Sequence, residues 1–266
     1  MDKNFISRLK NSWINNAEQE FKWLASNVLK IPEYKLYLNY KFSEYELNLL
    51  DQIISRREAG EPLQYIIGSS VFYGREFLTG SGSLIPRQDT ETLIEAAKYI
   101  FKPEQEFKFL DFGTGTGCIA ITLLLEFQNA KCFMAEISEE AKFYAEKNLL
   151  KFNLKSRSEF LIPDECDLII SNPPYIPTDE IKLLNKSVKD YEPLRALDGG
   201  HDGMKFYKYL FELGNKILNR DGFLILEIGN NYQAEILKSY DENFKFVKYF
   251  YDGSNFPRCI ILKHEA

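Results

Sequence analysis

The spacing of apolar residues divides the chain into a helical first part and a longer part in which strands and helices alternate. Over residues 1–68 apolar side chains recur at helical spacing, first in Phe5, Ile6, Leu9 and Trp13 and then in Phe21, Leu24 and Val28. Ser43-Glu44-Tyr45-Glu46 fits a capping box, in which a serine and a glutamate close the first helical turn. The pattern predicts a small helical domain over 1–68.

Residues 69–86 show a different pattern, with alternating polarity and several glycines. Val71-Phe72-Tyr73, Glu76-Phe77-Leu78 and Leu84-Ile85 read as short extended stretches separated by turns. This segment predicts a β-hairpin that links the helical domain to the rest of the chain.

From residue 87 to residue 266 short apolar strands and amphipathic helices alternate. Strands are predicted at 107–112, 131–137, 167–171 and 223–228, helices at 119–127, 138–152, 203–218 and 231–240, and closing strands near 244–251 and 258–263. Such alternation is typical of an α/β fold with a doubly wound, mostly parallel sheet.

Composition and charge narrow the function classes. The net charge is −6, and residues 1–68 carry nine basic and nine acidic side chains. Proteins that bind duplex nucleic acid usually present a basic face, so this balance of acidic and basic residues argues against nucleic-acid binding. A neutral helical domain favours protein docking, although it could also simply pack on the rest of the chain.

The chain shows no sign of export or of a metal site. It has no apolar run of about 18 residues and no apolar segment behind an N-terminal basic cluster, so neither a membrane span nor a secretory signal is expected. Four widely spaced cysteines and only two histidines indicate reduced thiols in a cytoplasmic protein, with no metal bound. A monomer is expected.

A glycine-rich loop follows the predicted strand 107–112 and opens the next helix. Its sequence is Asp111-Phe112-Gly113-Thr114-Gly115-Thr116-Gly117, with the spacing GxGxG rather than GxGxxG. Glycines there let the backbone approach a ligand, and Glu136, about 20 residues on, can accept hydrogen bonds from two ribose hydroxyls. The loop resembles motif I of class I methyltransferases, which implies S-adenosylmethionine as cofactor, with Asp111 near its ammonium group or ordering the loop.

A second motif, Asn172-Pro173-Pro174-Tyr175, follows the apolar strand 167–171. Two prolines stiffen the turn and remove backbone donors, which leaves carbonyl oxygens and the Asn172 side chain as acceptors. This arrangement suits methylation of a conjugated nitrogen. Asn172 and the Pro173 carbonyl would hold an NH₂ group near the cofactor, and Tyr175 would supply a flat wall.

Further segments resemble the release factor glutamine methyltransferases. They are Gly60-Glu61-Pro62-Leu63-Gln64-Tyr65, Phe72-Tyr73-Gly74, Leu84-Ile85-Pro86-Arg87-Gln88-Asp89-Thr90-Glu91, the Asn-Pro-Pro-Tyr motif, and Glu192-Pro193 with Ala196-Leu197, Gly199-Gly200 and Asp202-Gly203. The resemblance implies a class I methyltransferase fold with a seven-stranded sheet. The implied substrate is the glutamine of the Gly-Gly-Gln loop in class I release factors.

In this family the helical domain is expected to dock the release factor, and no membrane or direct nucleic acid contact is expected. Pro174, Arg87 and Glu91 are expected at the substrate mouth, although Arg87 and Glu91 could instead form a local salt bridge at a helix start capped by Asp89. Gln88 replaces the usual proline, and residues 154–166 are shorter than expected, with no clear segment to hold the adenine ring.

Three alternatives remain open at this level. A nucleic-acid amino-methyltransferase shares both loops, a methyltransferase of a ribosomal-protein glutamine differs little in sequence, and an inactive relic would lack cofactor binding.

Overall fold

The structure, a computed structural model, describes residues 3–12, 14–38 and 40–266. Trp13, predicted to belong to the first apolar stripe, lies outside the described residues. The described α-helices are α1 (Lys3–Asn11), α2 (Ala17–Leu29), α3 (Glu33–Tyr37), α4 (Glu44–Glu58), α5 (Leu63–Ile67), α6 (Glu91–Ile100), α7 (Cys118–Glu126), α8 (Glu139–Lys151), α9 (Lys186–Lys189), α10 (Lys205–Ile217) and α11 (Asn231–Leu237).

The described strands are β1 (Ser69–Phe72), β2 (Arg75–Leu78), β3 (Lys108–Phe112), β4 (Lys131–Ala135), β5 (Ser158–Glu159), β6 (Cys166–Ser171), β7 (Leu218–Glu227), β8 (Phe244–Tyr251) and β9 (Pro257–His264). The chain separates into two compact units. The helical unit comprises residues up to Ser69 together with Asn185–Tyr191, and the sheet unit comprises Ser70–Leu184 and Glu192–Ala266.

The helical unit is held by an apolar core and by ion pairs between its helices. Phe21, Leu24 and Leu50 are fully buried in that core. The capping box at the start of α4 is confirmed, because the Ser43 hydroxyl accepts from the Glu46 amide and the Glu46 carboxylate accepts from the Ser43 amide at 2.7 Å.

A short segment from the middle of the sequence belongs to this helical unit. Residues 185–191, inside the range predicted as methyltransferase domain, group with the N-terminal helices. The Tyr191 hydroxyl donates to the Ala59 carbonyl at 3.1 Å, next to the C-terminal end of α4. The segments predicted from the sequence, 1–68, 69–86 and 87–266, are each continuous, so they do not include this return of the chain.

The sheet unit contains the seven-stranded, mainly parallel sheet, which confirms the predicted fold class. In the described residues the strand order is β5-β4-β3-β6-β7-β9-β8, with only β9 pairing antiparallel to both of its neighbours. Leu168, Ile169 and Ile170 are fully buried because helices cover both faces of the central strands.

The hairpin is shorter than predicted, and it packs against α8 of the sheet unit. Only β1 and β2 form it, and Leu84-Ile85 is not a strand. Leu78 exchanges two backbone hydrogen bonds with the buried side chain of Asn148, at 2.8 and 3.0 Å, and Asn148 also donates to the Thr116 carbonyl at 2.9 Å. One asparagine thus ties the hairpin, α8 and the glycine-rich loop together.

Across the residues that are described, no helix is long and apolar enough to cross a membrane. All four cysteines are buried with free thiols.

Candidate active site

The carboxyl ends of β3, β4 and β6 border one cavity of about 810 Å³. This edge of an open α/β sheet is where ligands bind in such folds. Of the residues singled out in the sequence, the cavity is lined by Gly113, Gly115, Glu136, Asn172 and Pro174. Its volume lies in the range of small-molecule sites.

The glycine loop, residues 113–117, is fixed to the end of β4 by its backbone. The amides of Gly113 and Thr114 both donate to the Ala135 carbonyl, at 2.8 and 3.1 Å. Gly113 and Gly115 have positive φ angles, and a Cβ added at Gly113 would meet no atom within 4 Å. The loop therefore presents bare backbone to the cavity.

Gly117 has a different role from the other two glycines. A Cβ at this position would lie 3.2 Å from Ile121 and 3.4 Å from Met134, and its φ angle is positive. The residue lets α7 start close to β4, so it serves helix packing.

Glu136 joins the glycine loop to the start of α8. Its carboxylate accepts from the Gly115 amide at 2.9 Å and from the Ser138 amide at 2.8 Å. Each carboxylate oxygen can accept more than one hydrogen bond, so the group can still receive ligand hydroxyls. Ser138 caps α8 by accepting from the Ala141 amide.

Asp111 lies beneath the glycine loop, fully buried, and is not part of the cavity wall. One carboxylate oxygen accepts from the Thr114 hydroxyl at 2.6 Å and from the Ala120 amide at 3.2 Å, while the other has no hydrogen-bond partner among the described residues. Burial raises the pKa of Asp111 to about 7, against the lowering effect of these hydrogen bonds. In this structure the carboxylate orders the loop.

This buried carboxylate predicts a pH-dependent stability. The folded chain holds the Asp111 proton more tightly than the unfolded chain, whose carboxyl keeps a pKa near 3.8. The free energy of unfolding contributed by Asp111 therefore falls as the pH rises from about 4 to about 7. Asp111→Asn keeps one oxygen for both donors and removes the charge.

We expect the melting temperature of the Asp111→Asn variant to exceed that of the parent protein by roughly 5 °C at pH 8 and by less at pH 5. Thermal unfolding of both proteins between pH 5 and 8 measures the gap. A gap of constant size over that range would contradict the raised pKa.

The Asn172 side chain is held from behind by buried polar groups. Its Nδ2 donates to the Thr90 hydroxyl at 3.0 Å, and Thr90 is buried just before α6. Close by, one oxygen of the buried Glu227 carboxylate accepts from the Tyr175 hydroxyl at 3.1 Å, and the other has no hydrogen-bond partner among the described residues. Burial raises the pKa of Glu227 to about 7, opposed by the hydrogen bond from Tyr175.

The backbone of the NPPY loop, residues 172–175, is packed against three glycines. The Tyr175 carbonyl accepts from Gln233 Nε2 at 2.8 Å. A Cβ at Gly199 would lie 2.8 Å from the Tyr175 backbone, and one at Gly203 or Gly229 would collide with the Tyr175 carbonyl or ring. The Gly-Gly and Asp-Gly dipeptides of the sequence thus surround this loop.

Several predicted site residues lie away from the cavity wall. Those that do not line it are Asp111, Thr114, Thr116, Gly117, Pro173, Tyr175, Arg87 and Glu91. Tyr175 turns its hydroxyl inward to Glu227, so its predicted role as a wall for the substrate remains a prediction.

Arg87 and Glu91 have partners elsewhere. Arg87 forms an ion pair with the buried carboxylate of Glu192, far along the chain. Glu91 accepts from the Tyr73 amide at 2.8 Å and borders a second cavity of about 330 Å³. Asp89 pairs with Arg258 at 3.3 Å and its side chain does not cap α6. The local salt bridge considered from sequence is therefore not formed.

An apolar wall of the cavity was missed in the sequence. Phe160, Leu161 and Ile162, directly after β5, line the cavity together with Ile137. Ile137 is 86% exposed, and Leu161 and Ile162 are each more than 40% exposed. The three consecutive apolar residues 160–162 in a short loop were the feature of the sequence that could have indicated this wall.

Comparison with known proteins places these features in a family. Residues 3–68 match the PrmC N-terminal domain family and residues 88–188 match the Methyltransferase small domain family. A release factor glutamine methyltransferase of Geobacter sulfurreducens is 36% identical over 86% of this chain and 83% of its own length. One of Thermodesulfovibrio yellowstonii is 35% identical over 92% of each chain.

A solved structure supports the fold. A methyltransferase from Pyrococcus furiosus superposes with a TM-score of 0.56 at 18% identity, covering 80% of this chain and all of its own. The sheet order and this superposition define the fold as that of a class I methyltransferase. Within that class, the chain belongs to the release factor glutamine methyltransferase family.

Proposed function

We propose that this enzyme transfers a methyl group from S-adenosylmethionine to the side-chain amide nitrogen of the glutamine in the Gly-Gly-Gln loop of class I release factors. The observation that carries the proposal is the Asn172 side chain, which lines the cavity while its NH₂ group is engaged by Thr90. Its oxygen is then available to a substrate NH₂ group. Membership of the family supports the choice of substrate.

The residues of the cavity fit S-adenosylmethionine. The bare backbone at Gly113 and Gly115 leaves a space that a Cβ would occupy, which suits the aminoacid part of the cofactor. Glu136 would accept hydrogen bonds from the ribose hydroxyls. Ile137 and the segment 160–162, which line the cavity, would cover the adenine ring.

The reaction mainly requires the protein to position the substrate amide nitrogen and to supply hydrogen-bond acceptors. S-adenosylmethionine supplies an electrophilic methyl carbon bonded to a positively charged sulfur. An amide nitrogen is a poor nucleophile because its lone pair is delocalised into the carbonyl. Asn172 Oδ1 would accept from the substrate NH₂ group, orient it towards that carbon and stabilise developing positive charge. The Pro173 carbonyl stays a predicted second acceptor, because Pro173 does not line the cavity.

No strong base is required for this reaction. The amide nitrogen would form a bond to the methyl carbon as the carbon–sulfur bond breaks, with S-adenosylhomocysteine as the leaving group, and the nitrogen would lose one proton to water after transfer. Most of the rate would come from holding the nitrogen in line with the methyl carbon, since positioning alone can contribute many orders of magnitude. The rigid Pro-Pro turn and the packed Tyr175 support this role.

We propose that the helical unit docks the release factor, with its match to the PrmC N-terminal domain as support. The unit exposes several aromatic side chains, such as Trp23, Tyr34 and Tyr45. Aromatic side chains are common anchors in protein interfaces. Its balanced charge suits a protein partner better than a polyphosphate.

The test is incubation of the purified enzyme with a release factor and S-adenosylmethionine, followed by mass spectrometry of the Gly-Gly-Gln peptide. We expect one added methyl group on the glutamine, and none on a release factor whose glutamine is replaced by glutamate. Methylation of a ribosomal protein or of a nucleic acid, with none on the release factor, would overturn the proposal.

A further inference from the structure

We propose that Phe206, in the first turn of α10, supplies the flat apolar wall against which the amide plane of the substrate glutamine rests. This role rests on the proposed amide methylation and adds a substrate-binding residue to it. The sequence predicted such a wall at Tyr175, but Tyr175 does not line the cavity, whereas Phe206 does.

The geometry of the reaction explains why a flat wall is needed. The lone pair of an amide nitrogen is delocalised into the carbonyl, so its lobes lie above and below the amide plane. The methyl carbon must therefore approach one face of that plane, and the opposite face needs support to keep the nitrogen in line. The NH₂ hydrogens lie in the plane, so hydrogen bonds to Asn172 would hold the edge of the amide and leave its face unsupported.

The order of the strands separates the two ends of the cavity. The cavity runs along the edge β5-β4-β3-β6, and neighbouring strands lie about 4.8 Å apart. Phe160 follows β5 and Asn172 follows β6, so roughly 14 Å of sheet separates the two ends that they border. Phe160 is thus too far from Asn172 to support an amide bound there, and the wall must come from the β6 end.

Backbone contacts place Phe206 at the β6 end of the cavity. Gly203 packs so closely on the NPPY loop that a Cβ there would collide with the Tyr175 carbonyl oxygen. The Lys205 amide donates to the Gly199 carbonyl at 3.0 Å, and Gly199 itself packs on the Tyr175 backbone. Phe206 is the next residue in the chain, so it lies beside the NPPY loop.

The direction of α10 sets the height of the Phe206 ring above the sheet. α10 connects the parallel strands β6 and β7, so it starts at their carboxyl edge and runs back along the sheet. Tyr209 packs on Phe112, the last residue of β3, with ring centroids 5.4 Å apart. Phe206 lies three residues earlier in α10, roughly 4.5 Å further out. It therefore stands above the strand ends, at the level of the loop that starts with Asn172.

The Phe206 ring is half-buried and has a charged neighbour. Lys205 Nζ lies over the ring, 5.3 Å from its centroid, and such a cation–π contact restricts the motion of the ring. A ring held in this way presents a planar apolar surface and loses little side-chain entropy when a substrate binds.

The experiment compares Phe206→Leu, which stays apolar but loses the planar ring, with Phe206→Tyr, which keeps the ring. Phe143→Leu is the matched control, because Phe143 is an exposed side chain of α8 that does not line the cavity. For methylation of a release factor at saturating S-adenosylmethionine, we expect Phe206→Leu to lower kcat/KM about tenfold. Phe206→Tyr and Phe143→Leu should stay within about threefold of the parent.

Cofactor affinity separates a wall for the substrate from a wall for the cofactor. In titration calorimetry the Kd for S-adenosylmethionine should agree within about twofold between Phe206→Leu and the parent, because the proposed cofactor contacts follow β3, β4 and β5. A Kd raised about tenfold would assign Phe206 to the cofactor and overturn the proposal. Equal losses of kcat/KM in the leucine and tyrosine variants would also overturn it, since the planar ring would then not matter.

The activity of the parent protein keeps the two proposals apart. If the parent methylates release factor and Phe206→Leu does so with the kcat/KM of Phe143→Leu, only the role of Phe206 fails. If the parent does not methylate release factor, the proposed function fails, and the role of Phe206 fails with it.

Discussion

Replacing Asn172 with alanine should lower kcat for release factor methylation at least about 100-fold, while most of the affinity for S-adenosylmethionine is retained. The variant removes the acceptor that lies at the cavity and is held by Thr90. The proposed cofactor contacts at Gly113, Gly115 and Glu136 come from β3, β4 and the loops that follow them, so they remain. Single-turnover kinetics and titration calorimetry measure the two quantities.

Asn129→Ala is the matched control for this prediction. Asn129 is exposed, and its side chain donates to the Glu104 carbonyl in a surface turn. We expect its kcat to stay within about twofold of the parent. Equal kcat values for Asn172→Ala and Asn129→Ala would show that Asn172 does not act as the hydrogen-bond acceptor for the substrate. A loss of cofactor affinity that accounts for the whole effect would assign Asn172 to cofactor binding instead.

Replacing Gly199 with alanine should lower kcat about 10- to 100-fold, again with little change in cofactor affinity. The added Cβ would lie 2.8 Å from the Tyr175 Cα and carbonyl carbon, which real contacts essentially never show. Because the obstacle is backbone, the NPPY loop must move. A displacement well below 1 Å is enough to disturb in-line placement of a reacting nitrogen.

Gly253→Ala is the corresponding control, because a Cβ at Gly253 meets no atom within 4 Å and its φ angle is not positive. It should keep kcat and the melting temperature near those of the parent. The melting temperature of Gly199→Ala should fall by a few degrees, as expected for overpacking. If Gly199→Ala and Gly253→Ala had the same kcat, the exact position of the NPPY loop would not limit the rate of the reaction.

Much of the fold could be read from local patterns. Leu168-Ile169-Ile170 in β6 and Leu224-Ile225-Leu226 in β7 are unbroken apolar runs because both faces of the sheet are covered there. β5 was missed because it has only two residues and no periodicity to detect. The predicted third stretch of the hairpin, Leu84-Ile85, is apolar like a short strand but has no strand partner in the structure.

The candidate site was only partly predictable, because some of its residues belong to short motifs and others come from distant parts of the chain. Gly113, Gly115 and Asn172 belong to short motifs whose local geometry brings them to the cavity. Thr90 belongs to the segment 84–91 that resembles the family, but nothing in that segment indicates a contact with Asn172. The two residues are 82 positions apart, and only the packing of the start of α6 beside the end of β6 brings them together.

The sequence by itself determined the class of fold, the two loops and the family, because these depend on side-chain periodicity and on residue types at fixed short spacing. Tertiary structure alone decided which motif residues face the cavity, that Arg87 pairs with Glu192, and that residues 185–191 join the helical unit. Such contacts join distant parts of the chain, and their partners are set by how strands and helices pack.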